Sequence, residues 1–210
     1  MHDTLTAIDR WLAQHAAKIL QYSLNPPAEL TALHSLEQLS GFALPQSFKT
    51  LYQWHNGLDD QENIGNLCYG MSFLSLEQMS AYHEEQKDLY GLNFELEHCD
   101  AQIKSDNAHH LGWLKFAENG ARTGLYLDFD PTAQGTIGQV IFVDHDFDIA
   151  LVVADSVEHM MQQFLHDLQQ GLYQLHPDAL EDDQHFLEPD QQIDLMNWHR
   201  SERWSRPTFN

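Results

Sequence analysis

Positive charge is what this 210-residue chain has least of. Ten Lys and Arg stand against thirty-two Asp and Glu, for a formal net charge of −22. Nucleic-acid binding sets cationic side chains against phosphate, so the balance argues against that class of partner. An anionic membrane surface is disfavoured for the same reason. Cysteine is nearly absent. Cys68 and Cys99 are too few for a disulfide framework and lack metal-site spacing, which makes a reduced, cytoplasmic setting the expectation. No apolar run reaches the roughly eighteen residues of a membrane-spanning helix. The first residues carry Asp3 and no basic n-region, so they do not read as a secretion signal.

Catalytic signatures are missing as well. There is no His-Glu-x-x-His, no Cys-x-x-Cys and no Gly-x-Ser-x-Gly. Gly135 and Gly138 are not followed by the Lys-Ser/Thr of a phosphate-cradling loop. Asp144, Asp146 and Asp148 have the spacing that opens a calcium loop. The sixth position is Ile149 where a sharp turn needs Gly, and the twelfth is Asp155 where a bidentate Glu belongs, so the stretch reads as an acidic hairpin turn. Asp128 and Asp130 lie two apart on one strand face, but Asp130 precedes Pro131 and serves the turn. No cofactor, metal or catalytic residue is expected.

What is present is a core and a clear order of elements. Leu5, Ile8, Trp11, Leu12, Ala16, Ile19 and Leu20 share one face of a helix predicted over Thr4–Tyr22. A second helix is predicted over Ala28–Leu39, capped by Gly41, and a third over Gln46–His55, closed by Asn56-Gly57. A strand is expected over Leu67–Phe73 and a helix from Glu77 to about Leu89. Residues 91–110 show no clear period and read as a loop with one turn of helix. Short strands are expected at Trp113–Phe116, Leu125–Phe129, Gln139–Val143 and Ile149–Val153. Ser156 then caps a helix whose stripe is Met160, Met161, Phe164, Leu165 and Leu168, and Gly171 stops it. The tail from Leu172 carries Trp198, Trp204 and Phe209, aromatics that would dock it on the domain.

Between Arg122 and Arg200 there are fifteen acids and no Lys or Arg. No neighbour in sequence can neutralise them, and such a field steers cationic partners. The exposed turns are the first surface to consider. They hold Asp59, Asp60 and Glu62 after the Asn-Gly turn, Asp128 and Asp130 before Pro131, and Asp144, Asp146 and Asp148 in the next turn.

The order of motifs resembles the SMI1/KNR4 family of the SUKH superfamily over about Trp11 to Tyr173. The matching pieces include Leu44-Pro45-Gln46-Ser47-Phe48, His55-Asn56-Gly57, Phe73-Leu74-Ser75-Leu76-Glu77, Asp128-Phe129-Asp130-Pro131 and Gly138-Gln139-Val140-Ile141, then Val153-Ala154-Asp155-Ser156. The family's Trp-x-Pro element is replaced by Trp113-Leu114-Lys115-Phe116, without Pro. The resemblance implies an α+β fold, a mainly antiparallel twisted sheet surrounded by helices. It places one domain at residues 1–173 and an acidic C-terminal extension at 174–210. It also implies binding without catalysis. The expectation is a bacterial immunity protein that neutralises a basic, nuclease-like toxin, with a cell-wall-assembly type of regulatory scaffold as the alternative. In either case the partner is a cationic protein, met by Asp59, Asp60, Glu62, Asp128, Asp130, Asp144, Asp146 and Asp148.

Overall fold

A computed structural model describes residues 1–59, 65–92, 94–120 and 122–206. Asp60, Glu62 and Phe209 lie outside the described residues. The chain opens with three helices, α1 (His2–His15), α2 (Leu30–Ser40) and α3 (Gln46–Trp54). A short strand β1 (Ser72–Phe73) leads to α4 (Leu76–Tyr90) and then to β2 (His98–Cys99). Four six-residue strands follow, β3 (Trp113–Glu118), β4 (Thr123–Asp128), β5 (Gln139–Asp144) and β6 (Ile149–Ala154). The chain ends with α5 (Val157–Gln169), β7 (Tyr173–Leu175), α6 (Pro177–Glu181) and β8 (Leu187–Pro189), then two single turns of helix. This is an α+β domain.

The main sheet has the order β1-β3-β4-β5-β6-β2. Every pairing is antiparallel except β2 with β6, which is parallel. Strands β4 and β5 are buried along their whole length because both faces of the sheet are covered. One face presents Leu114, Phe116, Leu125, Leu127, Phe142 and Leu151 to a core shared with α1, α3 and α5. The opposite face presents Trp113, Tyr126, Ile141, Val143 and Ala150, covered by Leu96, Ile103 and Ala108 of the long segment before β3. Strand periodicity thus separates two cores from a single run of residues.

Local chemistry explains most boundaries. Ser75 caps α4 in a full capping box with Gln78, and Ser156 caps α5 by accepting from the His159 amide at 3.2 Å. Gly41 leaves α2 in the left-handed conformation. Gly57 also has positive φ, and a Cβ there would sit 2.5 Å from the Leu74 backbone, so no other residue fits.

Three expectations are corrected. The first helix stops at His15, because Ala16 adopts φ −144° and turns inward to full burial; one π-helical turn follows at Ile19–Ser23. The predicted strand over 67–73 survives only at its end. Tyr69 and Gly70 are both left-handed and fold the chain back, so the Leu67 amide bonds the Met71 carbonyl at 2.9 Å. The segment 91–110 has no turn of helix among its described residues and instead contains β2, whose two residues lack any strand period. Its neighbours carry the pairing, with the Glu97 amide donating to the Asp148 carbonyl at 2.8 Å and the Asp100 amide to Ala150 at 3.0 Å.

The tail is part of the main core. Ile193, Leu195, Trp198 and Trp204 pack into it, and β7 pairs with β8. Arg203 reaches back to α5 and forms a two-pronged ion pair with Asp167, at 2.5 and 2.8 Å. Asp167 is fully enclosed and Arg203 partly so. Removing one partner of such a pair leaves a buried unmatched charge. Arg203→Ala should therefore destabilise the fold by about 3 kcal/mol in urea unfolding, whereas Asp167→Leu with Arg203→Met should restore most of the loss.

Candidate partner-binding surface

The hairpin of β4 and β5 organises the acidic turns. Asp128 ends β4 and Asp144 ends β5, so they lie at opposite ends of the same pair of strands. Both do the same thing. Each carboxylate accepts the amide two residues on, Asp130 at 2.9 Å and Asp146 at 3.0 Å, which closes the turn that follows. The second oxygen of Asp128 accepts from Gln139 Nε2 at 2.9 Å. The second oxygen of Asp144 accepts from the Trp198 indole at 3.3 Å and so holds the tail. Both residues are buried, and burial raises the Asp128 pKa above the ordinary carboxylate value. The expectation that these two acids face solvent is corrected. A carboxylate at a strand end is worth more to the turn amides than to water.

The remaining candidates are more exposed. Asp130 pairs with Lys104 at 2.6 Å and lies 3.4 Å from His110. Asp146 lies 3.3 Å from the Arg122 guanidinium. Asp148 takes a left-handed conformation, φ 51°, and its carbonyl receives the amides of Glu97 and His98. Asp59 is half-buried, its amide donating to Ser23 at 2.7 Å. The turns after Asp128 and after Asp144 lie at opposite ends of the β4–β5 pair, so the candidates do not form one cluster. Among the described residues no group of His, Cys, Asp and Glu could hold a metal ion.

The acidic interval is also less unpaired than its sequence implies. Asp130, Asp146, Glu158, Asp167 and Asp183 meet cations drawn from outside it: Lys104, Arg122, the N-terminal amine, Arg203 and Lys18. Sequence reasoning missed Asp167 and Asp100. Asp167 gave a signal, since it falls on the apolar stripe of α5 beside Phe164 and Leu168, where an acid demands a buried cation. Asp100 gave none. It accepts the Val152 amide at 2.8 Å and two bonds from Arg206 at 3.0 Å.

His145, in the turn after β5, is uncharged over the neutral range. Burial lowers its pKa most, and the nearby His109, Lys115 and Arg122 add to this, to about 4. The unfolded chain binds that proton near the ordinary value of about 6.5. Unfolding therefore takes up a proton between these limits, and stability falls as pH drops from about 6.5 to about 4. His145→Gln should flatten this part of the urea-midpoint profile relative to the parent chain.

The fold and surface define an α+β protein built around a largely antiparallel sheet, with no helix among the described residues long and apolar enough to cross a membrane. A model of the SMI1 / KNR4 family (SUKH-1) matches residues 27–163, well over half of the sequence, and the chain belongs to that family. Three curated yeast proteins are similar. The "Cell wall assembly regulator SMI1" of Saccharomyces cerevisiae is 22% identical over 204 residues, covering 80% of this chain and 40% of that protein. A "KNR4/SMI1 homolog" of Yarrowia lipolytica is 32% identical over 223 residues, covering 83% and 31%. A "KNR4/SMI1 homolog 2" of Debaryomyces hansenii is 33% identical over 66 residues, covering 31% and 11%. The chain spans less than half the length of each.

Proposed function

We propose that this chain is a non-catalytic binding protein that recruits a cationic protein by its acidic surface. One observation carries the reading. At least eight of the ten Lys and Arg side chains are already held by carboxylates of the same chain. Acids outnumber Lys and Arg by about three to one, so by number alone the chain's own cations cannot neutralise most of them. A partner that supplies cations completes what the chain cannot. The contact residues are drawn from Asp59, Asp60, Glu62, Asp130, Asp146 and Asp148. Asp128 and Asp144 act beneath them by shaping the turns.

Two roles fit this binding mode. The name of the Saccharomyces relative favours a regulatory scaffold for cell-wall assembly. The acid excess favours an immunity protein, whose basic, nuclease-like toxin would meet carboxylates in place of phosphates. Affinity capture from the native host separates them. One small basic protein in stoichiometric yield, whose toxicity the chain relieves, supports immunity; several unrelated proteins support the scaffold.

Both roles make the same physical prediction. The association rate with the captured partner should fall at least about tenfold between low and high salt, because steering is screened. Asp146→Asn with Asp148→Asn, which keeps a residue suited to the left-handed backbone at 148, should slow association and leave the unfolding midpoint little changed. A rate indifferent to salt would remove the acidic surface from the mechanism.

A further inference from the structure

The sheet face away from α1, α3 and α5 carries a cavity of about 390 Å³ between α4, the segment after it and the strands β3 and β4. Its character is opposite to that of the surrounding surface. Leu89, Leu92 and Phe94 stand on its wall and remain 40%, 58% and 53% exposed, an uncommon grouping of large apolar side chains for so charged a protein. Tyr126 and Ala108 form a buried part of its lining.

The polar side of the cavity is basic. Lys115 and Arg122 both line it, two of only ten Lys and Arg in the chain. Lys115 Nζ sits 4.4 Å from the centre of the Tyr82 ring, with Glu118 at 2.6 Å. Arg122 keeps most of its side chain in solvent, with its guanidinium 3.3 Å from Asp146. His109 and His145 stack beside them, ring centres 5.1 Å apart, and Tyr126 Oη lies 3.4 Å from His145 Nε2. Among the described residues Glu85 is the one acid on the lining. Burial lowers the pKa of both His109 and His145, so the positive charge on this side comes from Lys115 and Arg122, each of which also meets an acid.

We infer that this cavity binds an amphipathic carboxylate, with its apolar body against Leu89, Leu92 and Phe94 and its anionic end toward Arg122, Lys115 and the stacked histidines. The volume falls in the range of small-ligand sites, which are mostly apolar with a few convergent polar groups. Two sources share this chemistry: a free aryl or alkyl acid, and the terminal carboxylate of a protein chain ending in an apolar residue. The site does not rest on the acidic-surface reading, since its ligand has the opposite charge.

Calorimetric titration tests it with phenylbutyrate, its uncharged amide, and a hexapeptide ending in Phe as either the free acid or the amide. At least one of the two acids should saturate one-to-one and bind about tenfold tighter than its amide, as a charge-assisted contact requires. Arg122→Glu should weaken that acid about tenfold and the matching amide less than about twofold. Arg122 is largely exposed, so the variant keeps its fold; Leu92→Ser, also at an exposed position, should weaken acid and amide together. Tighter binding of the peptide acid assigns the site to a chain end, and binding by phenylbutyrate of equal or greater strength assigns it to a small acid. Equal affinity for acid and amide, indifference to Arg122→Glu, or no saturable heat from any of the four probes overturns the inference.

Discussion

Enclosing a carboxylate costs several kcal/mol unless an opposite charge or good donors meet it, and this chain has very few charges with which to do so. Asp167 on α5 meets its requirement with Arg203, thirty-six residues later in the chain. That pair fixes where the tail must lie. Once Arg203 is placed, Trp204 follows into the core and bonds the Ile193 carbonyl at 2.9 Å, while Ser201 ties to Gln192 at 2.8 Å. Arg206 then reaches Asp100 beside the parallel edge strand β2. Two arginines thus connect the last residues to the helical layer and to the far edge of the sheet.

The same constraint sorts the other acids. A carboxylate can also be satisfied by backbone amides, and Asp128 and Asp144 take that route at the ends of the central hairpin. These amides carry no net charge, so this solution conserves the scarce cations. The consequence is a division of labour among acids two residues apart. Asp144 is consumed by its turn and by Trp198, while Asp146 stands outside it.

How far the sequence reveals this follows from the range of each interaction. The helices α2 to α5 and the strands β3 to β6 are set by periodicity, caps and turn residues within a few positions, and they are legible. Ser75, Ser156 and Gly41 announce their boundaries. The edge strand β2 is not, because two residues cannot show a period and its pairing is made mostly by backbone groups. Burial of the acids is legible only in part. Asp167 lies on an apolar stripe and declares itself, whereas Asp128 and Asp144 look like any turn acids until their strands are paired. The cavity beside α4 is not legible: its residues come from α4, the segment after it, two strands and two turns, and none belongs to a motif.

The two surfaces this produces differ in kind. The acidic exterior follows from composition and needs no fine geometry to attract a basic partner over a Debye length of about 10 Å. The cavity does depend on geometry. Lys115 and Arg122, each paired with an acid, are brought to one cavity with His109 and His145, on a wall that also exposes Leu92 and Phe94. Long-range attraction acts before contact and discriminates by sign alone. Short-range fit acts after contact and discriminates by shape. A binding protein that draws in a basic partner and also grips an anionic, apolar group could use both in sequence, the first setting the rate of encounter and the second the residence time.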